Sequence, residues 1–296
     1  MVKTYKELYL QLRRDLEKID DPNPAVNARE LLAFSADKTP EEILRDMGLY
    51  ASEQVAAKLE RVREAYLSGM PMAYILGQWS FFGLPMKVTK DVLIPRDDTM
   101  VVAALAMEEL KDREKARVLD LCTGSGCIGI TIAHHLPGTR VTLADISESA
   151  LAIAKENVSC NKLTGRVQVM KVDCREPAPA FLGKYDMIVS NPPYITEQEM
   201  QELDDSVKKF EPHLALCGGE DGLDFYRHIC RNFRDALTDD GCICFEFGMG
   251  QEKAVKAILK EFLFEDILFC RDTSNIIRAV IARKNGKEQG YGKEEN

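Results

Sequence analysis

The sequence predicts an α/β protein whose doubly wound, mostly parallel sheet follows a small N-terminal helical bundle and a β-hairpin. Three observations predict it. From about residue 97, the strand-like runs "RVLDL", "RVTLAD", "VQVMKVD", "YDMIVS", "GCICFEF", "FEDILF" and "NIIRAVIA" mostly alternate with helical stretches. Alternation of this kind buries a parallel sheet between helices. The glycine-rich turn "CTGSGCIG" joins the first of these strands to an apolar helix. The first 70 or so residues instead repeat apolar side chains at helical spacing.

In chain order, "YKELYLQLRRDLEKI" places Leu8, Leu12, Leu16 and Ile19 on one helical face. "AVNARELLAF", "PEEILRDM" and "SEQVAAKLERVREAYLSG" follow after short polar breaks, and Thr39-Pro40 and Ser52 are helix-start residues. "WSFFGLPMKVTKDVLIP" then carries two short apolar runs around Gly83 and Pro85, the pattern of a hairpin. The expected organisation is a bundle over 1–72, a hairpin linker over 73–96, a sheet domain over 97–284 and a disordered polar tail over 285–296.

Composition limits the function. The 296 residues carry a net charge of −9, and residues 1–90 are neutral, so the acidic excess lies wholly in the later part. A chain held mainly by phosphates would show a basic excess, which disfavours nucleic acid as partner. Nine cysteines with no C-x-x-C pair argue for free thiols in a reducing compartment rather than a zinc site or disulfides. No metal site is expected. The N-terminus has no apolar leader and no run of 18 apolar residues occurs, so the expectation is a cytoplasmic protein without membrane contact. A monomer is expected, since no extended coiled-coil seam is present.

Gly124, Gly126 and Gly129 satisfy G-x-G-x-x-G in a strand–turn–helix context. Such a turn brings backbone close to a ligand and points a helix N-terminus at negative charge. A pyrophosphate fits that description, and so does the carboxylate of a methionine moiety. Asp145 ends the second strand, roughly 20 residues past the glycines, where a carboxylate accepts ribose hydroxyls. NAD and S-adenosylmethionine both carry that ribose. Asp173 ends the third strand, either to accept the exocyclic amine of adenine or simply to terminate the strand.

The fourth strand decides between the two cofactors. "YDMIVSNPPYI" follows a strand with two prolines, which offer no N–H and hold Asn191 and Pro192 extended. The Asn191 amide oxygen and the Pro192 carbonyl can then converge as two acceptors on a planar –NH2 group, with Tyr194 stacked on or walling its plane. Pinning both hydrogens turns the nitrogen lone pair toward an electrophile, the arrangement needed to methylate a planar amine from a sulfonium. An NAD-linked dehydrogenase gives no account of residues 191–194.

These residues carry a resemblance. "DLCTGSGCIG", the pattern of Asp145 to Asn157, and "YDMIVSNPPYI" resemble class I S-adenosylmethionine-dependent methyltransferases of the N-P-P-Y type, with a Rossmann-like sheet. "ARELLAF", "GMPMAYILGQWSFFGLPMKV", "DVLIPRDDT" and "FEPHLALCGGEDGLDFYR" are similar, more narrowly, to the protein-(glutamine-N5) methyltransferases that modify bacterial peptide chain release factors. The resemblance spans about residues 25–282.

It implies transfer of a methyl group from S-adenosyl-L-methionine, leaving S-adenosyl-L-homocysteine, to the glutamine of a Gly-Gly-Gln loop. It also implies a helical N-terminal domain that helps grip the release factor. By matching motif, Cys122, Thr123, Gly124, Ser125, Gly126 and Asp145 would bind cofactor, with Cys174 on the same side beside Asp173. Asn191 would bind both cofactor and substrate, and Pro192, Pro193 and Tyr194 would complete the substrate slot. Asn191, Pro192 and Tyr194 are the expected catalytic residues. The chain departs from the family's Pro-Arg-Pro-Glu-Thr-Glu at "PRDDTM": Asp98 shortens a carboxylate and Met100 removes one. Cys122 stands where glycine is common, which is tolerable if only the later glycines need close approach.

Other readings are weaker. An amino-methyltransferase acting on a nucleic-acid base would share the catalytic core but calls for a basic face. A translation-factor binding module without catalysis would have no need of intact N-P-P-Y and glycine motifs. Four scattered histidines form no triad. Asp221 and Asp224 read equally as part of a functional loop or as an N-cap with an acidic first turn. Glu246 reads either as a buried structural carboxylate, the favoured reading, or as a buried carboxylate behind the site.

Overall fold

The computed structural model describes residues 3–285, and the expected tail lies outside them apart from Asn285. The chain divides between Gly77 and Gln78 into two compact units.

The first unit contains α1 (Tyr5–Glu17), α2 (Pro24–Ala36), α3 (Pro40–Arg45), α4 (Glu53–Leu67) and α5 (Met72–Leu76). Thr4 and Thr39 open α1 and α3 with reciprocal capping boxes to Glu7 and Glu42, and the Ser52 hydroxyl accepts from the Val55 N–H at the start of α4. Leu8, Leu12 and Leu16 are buried with Leu31, Leu32, Ile43 and Leu59. Ile19 does not join them. The helix ends at Glu17, the chain turns through a left-handed Asp20 (φ 53°), and Ile19 is left 48% exposed.

The second unit opens with the hairpin β1 (Gln78–Phe81) and β2 (Leu84–Lys87). Its two-residue turn places Phe82 and Gly83 at φ 53° and 75°, the backbone that matches the twist of paired strands. There follow α6 (Met100–Leu110), β3 (Arg117–Leu121), α7 (Cys127–His135), β4 (Arg140–Asp145), α8 (Glu148–Cys160), β5 (Val167–Lys171) and β6 (Tyr185–Ser190). The chain continues with α9 (Asp205–Phe210), α10 (Asp224–Phe233), β7 (Leu237–Glu246), α11 (Glu252–Glu261), β8 (Phe264–Arg271) and β9 (Ile277–Lys284). All seven strands expected from the sequence pair into one sheet, in the order β5-β4-β3-β6-β7-β9-β8. Pairing is parallel from β5 to β7, and β9 lies antiparallel between β7 and β8.

Side chains alternate between the two faces, apart from a register shift between Tyr185 and Met187. Val118, Val141, Leu143, Met187 and Val189 pack under α6 and α7, while Leu119, Leu121, Ile188, Ile243 and Phe245 pack under α10 and α11. A sheet buried on both sides needs apolar residues at every position, which is why its strands read as continuous apolar runs. The order runs outward from β3 to β5 in one direction and from β6 to β7 in the other. The reversal falls between β3 and β6, where doubly wound sheets open a crevice at the carboxyl ends of their strands.

Candidate active site

The register sets Leu121 beside Ser190, so the loops after β3 and β6 leave the sheet side by side. Ser190 Oγ donates to the Leu121 carbonyl at 2.6 Å and locks the two strand ends together.

The loop after β3 is built around a buried carboxylate. Asp120 Oδ2 accepts from Thr123 Oγ1 at 2.7 Å and from the Gly129 N–H at 2.9 Å. Burial pushes its carboxyl up to about 7 against those two hydrogen bonds. Gly129 allows this contact, because a Cβ there would meet Leu143 Cδ2 at 2.4 Å and Asp120 Oδ2 at 3.0 Å. Cys122 is left-handed at φ 56°, which explains why glycine suits that position: the constraint is backbone conformation rather than ligand approach. Its sulfur lies 3.7 Å from that of Cys174. Asp145 accepts from the Gly124 N–H and the Ser147 N–H, both at 2.9 Å, while burial raises its pKa.

Cys122, Gly124, Asp145, Asp173, Cys174, Asn191 and Pro193 line one cavity, with Ile146, Val172 and Phe225 adding apolar surface. Thr123 and Ser125 are absent from that lining; Thr123 turns inward to Asp120, and the Ser125 carbonyl accepts from Asn157 Nδ2 at 2.9 Å. Gly126 is also outside it and caps α7 at φ 85°. Asp173 lines the cavity with both oxygens already accepting from the Arg175 guanidinium, which lowers its pKa.

A second cavity lies against the first. Asn191, Pro192, Tyr194, Arg96, Leu203 and Glu246 are among the residues that line it, and Leu93, Asn191 and Ala215 belong to both. Asn191 Nδ2 donates to Thr99 Oγ1 at 3.2 Å. Among the described residues, nothing donates to Asn191 Oδ1 or to the Pro192 carbonyl, so both remain available as acceptors.

Residues 98–213 match the Methyltransferase small domain, and residues 7–77 match the PrmC N-terminal domain. A release factor glutamine methyltransferase from Clostridium botulinum is 37% identical over 279 residues, covering 94% of this chain and 99% of the relative. The chain belongs to the release factor glutamine methyltransferase family. Another member of the family, from Chlorobaculum tepidum, is 36% identical over 277 residues, 89% of this chain and 91% of its own. Among solved structures, the hMettl16 catalytic domain in complex with a MAT2A 3'UTR hairpin superposes with a TM-score of 0.57 at 16% identity, over 87% of this chain and 92% of that one. That likeness concerns the fold alone.

Of the family's motif positions, Met100 opens α6 and packs on the core, while Asp98 faces Arg278 at 3.6 Å. Sequence reasoning missed several members of the site. Thr99 is buried and anchors Asn191. Glu246 was the exception, since a carboxylate behind the site was the less favoured of its two readings; it lines the second cavity and receives the Tyr194 hydroxyl at 3.4 Å. Burial raises its carboxyl to about 7. Arg96 pairs with the buried Glu211 at 2.5 Å, just ahead of Pro212 to Ala215, which close over the first cavity. The "GGEDG" loop acts by close packing: a Cβ on Gly218 would meet the Pro193 carbonyl at 2.7 Å, and one on Gly222 the Tyr194 carbonyl at 2.3 Å. Asp221 is not an N-cap; that position is Leu223, and Asp221 accepts from its N–H at 3.1 Å. Glycine spacing in this loop was the signal available in the sequence.

Proposed function

We propose that this protein methylates the side-chain amide nitrogen (N5) of the glutamine in the Gly-Gly-Gln loop of bacterial peptide chain release factors, with S-adenosyl-L-methionine as donor. The observation that carries the reading is the placement of Asn191 in the walls of two adjoining cavities, with its amide oxygen available. Family membership supplies the substrate class.

The residues of the first cavity fit the donor's chemistry. Each oxygen of Asp145 accepts one backbone N–H and keeps a lone pair for a ribose hydroxyl. Ile146, Val172 and Phe225 offer apolar surface to a flat base. Bound there, S-adenosylmethionine would supply an electrophilic methyl group. In the second cavity, Asn191 Oδ1 and the Pro192 carbonyl accept the two N–H groups of the glutamine amide, and Tyr194 walls its plane. Holding the nitrogen in reacting geometry contributes of order 7–11 kcal/mol where it is well enforced. The nitrogen would bond the methyl carbon as the methyl–sulfur bond breaks, leaving S-adenosyl-L-homocysteine, and one of the two amide protons would pass to water.

In this reading residues 1–72 form the substrate-binding domain, 73–96 the linker and 97–284 the catalytic domain of a cytoplasmic monomer. Among the described residues, no helix is long and apolar enough to cross a membrane.

The test is transfer of a labelled methyl group to a purified release factor, to that factor with its loop glutamine changed to glutamate, and to bulk DNA and RNA. Label on the unaltered factor alone is expected. Label on nucleic acid would keep the Asn-Pro-Pro-Tyr chemistry and discard the substrate.

A further inference from the structure

Two thiols meet in the wall of the first cavity. Cys122 follows β3 and Cys174 follows β5, 52 residues later, and their sulfurs lie 3.7 Å apart. β4 runs between those two strands in the sheet, so the side chains reach toward each other across its end.

Both backbones are held where the sulfurs meet. Beside Cys122, the Thr123 N–H donates to the Ala144 carbonyl at 3.1 Å, and the Leu121 carbonyl takes the Ser190 hydroxyl. On the other side, Asn232 Nδ2 on α10 donates to the Cys174 and Arg175 carbonyls at 3.2 and 2.8 Å. Cys230, Cys242 and Cys244 are fully buried in the core. Cys122 and Cys174 instead line a cavity shared with Gly124, Asp145 and Asp173, and Cys122 is partly exposed there.

We propose that Cys122 and Cys174 form an oxidisable dithiol, which hydrogen peroxide joins in a disulfide that narrows the first cavity and shuts out the methyl donor. The effect on the donor rests on the functional reading above. One sulfur attacks a peroxide oxygen, the O–O bond breaks, and the thiol proton leaves with the displaced oxygen as water. The second sulfur attacks the resulting sulfenic acid, the S–O bond breaks, and its proton leaves in a second water. Two thiols and one peroxide thus become one disulfide and two waters. Disulfide sulfurs stand about 2.0 Å apart, so bridging draws the loops after β3 and β5 together over the end of β4. Gly124 and Asp173 move with them.

Free thiols are the resting state. The contact with Cys174, and burial, hold the Cys122 thiol protonated far above the ordinary thiol range. Thiolates are the reactive form, so bridging is slow at neutral pH and needs sustained peroxide. In a reducing compartment such a bridge is transient, as a redox-sensing one must be.

The test treats the purified protein with hydrogen peroxide, alkylates the remaining thiols and maps its proteolytic peptides by mass spectrometry. A peptide pair joined through Cys122 and Cys174 is expected, and dithiothreitol should separate it. Calorimetry on the bridged protein should show S-adenosylmethionine affinity lowered about tenfold or more. Coupling is reciprocal, so saturating cofactor should shift the ratio of reduced to bridged protein in a glutathione buffer by the same factor. C174S and C122G each remove one sulfur, and glycine suits the left-handed backbone at 122 (φ 56°). Each variant, compared with itself before and after peroxide, should keep its own cofactor affinity. Absence of the joined peptides, or a bridged wild type that binds cofactor as tightly as the reduced one, overturns the proposal. If reduced wild-type protein binds no S-adenosylmethionine, the donor reading fails, and the peptide map still decides for or against the dithiol.

Discussion

The loops after β3 and β6 leave the sheet from paired positions yet are held by opposite means. The glycine loop is fixed largely by its own backbone: the Gly124 N–H donates to Asp145, the Gly129 N–H to Asp120, and Cys122 and Gly124 are left-handed. The acceptor loop has few backbone bonds to use, because Pro192 and Pro193 carry no N–H. It is held from outside, by Thr99 on Asn191, by Gln251 Nε2 donating to the Tyr194 carbonyl at 3.0 Å, and by Gly218 and Gly222 pressed against its main chain. A loop held through its own backbone can be encoded locally. One proposed to aim two acceptors at a substrate depends on residues from three other segments.

This contrast can be broken in order of effect. Asn191→Ala should lower turnover by roughly 10²-fold or more, as for a lost pre-organised polar contact. Cofactor affinity, measured by calorimetry, should remain measurable; near-wild-type turnover would refute the acceptor pair. Gly222→Ala comes next. Its methyl would stand 2.3 Å from the Tyr194 carbonyl at a backbone φ of 72°, so the acceptor loop must shift. We expect turnover to fall at least about tenfold, with cofactor affinity nearly unchanged. Equal losses of both would show that the two loops are mechanically one.

On the other side, Asn157 is fully buried and joins the hairpin to the glycine loop. It accepts the Lys87 N–H at 2.6 Å and donates to the Lys87 and Ser125 carbonyls at 3.0 and 2.9 Å. Asn157→Ala should cost about 1–3 kcal/mol in urea unfolding, with cofactor affinity falling more than affinity for the release factor.

A last effect is on pH stability. Asp120 and Glu246 have folded pKa values raised to about 7 from 3.8 and 4.5. Between those limits the folded state holds protons that the unfolded chain has released, so stability falls as pH rises through the window. Each group contributes at most ~1.4 kcal/mol per pH unit. Melting temperature should therefore decline from about pH 5 to about pH 7. The decline should be shallower in Asp120→Asn, and an unchanged slope would show that Asp120 is ionised throughout.

Much of the fold was written locally. The apolar runs of the seven strands, the Thr39 and Ser52 helix starts and the hairpin around Gly83 depend on neighbours a few residues away, and each formed where expected. Ile19 failed because helical spacing says which face a residue would take but not where the helix stops. The lining of the first cavity was legible for a similar reason, since Gly124, Asp145, Cys174 and Asn191 all sit at strand ends that the topology must bring together.

What the tertiary structure alone decided is how those strand ends are wired. Thr123 and Ser125, expected as cofactor contacts, tie the loop to Asp120 and Asn157. Thr99, which anchors Asn191, stands 92 residues from it in sequence, and Glu246, which receives the Tyr194 hydroxyl, stands 52 residues from Tyr194; no local pattern marks either contact. Chemistry type at a strand end follows from residue identity and spacing. What each side chain there leans on follows from which distant segments pack against it, as Thr99 does against Asn191.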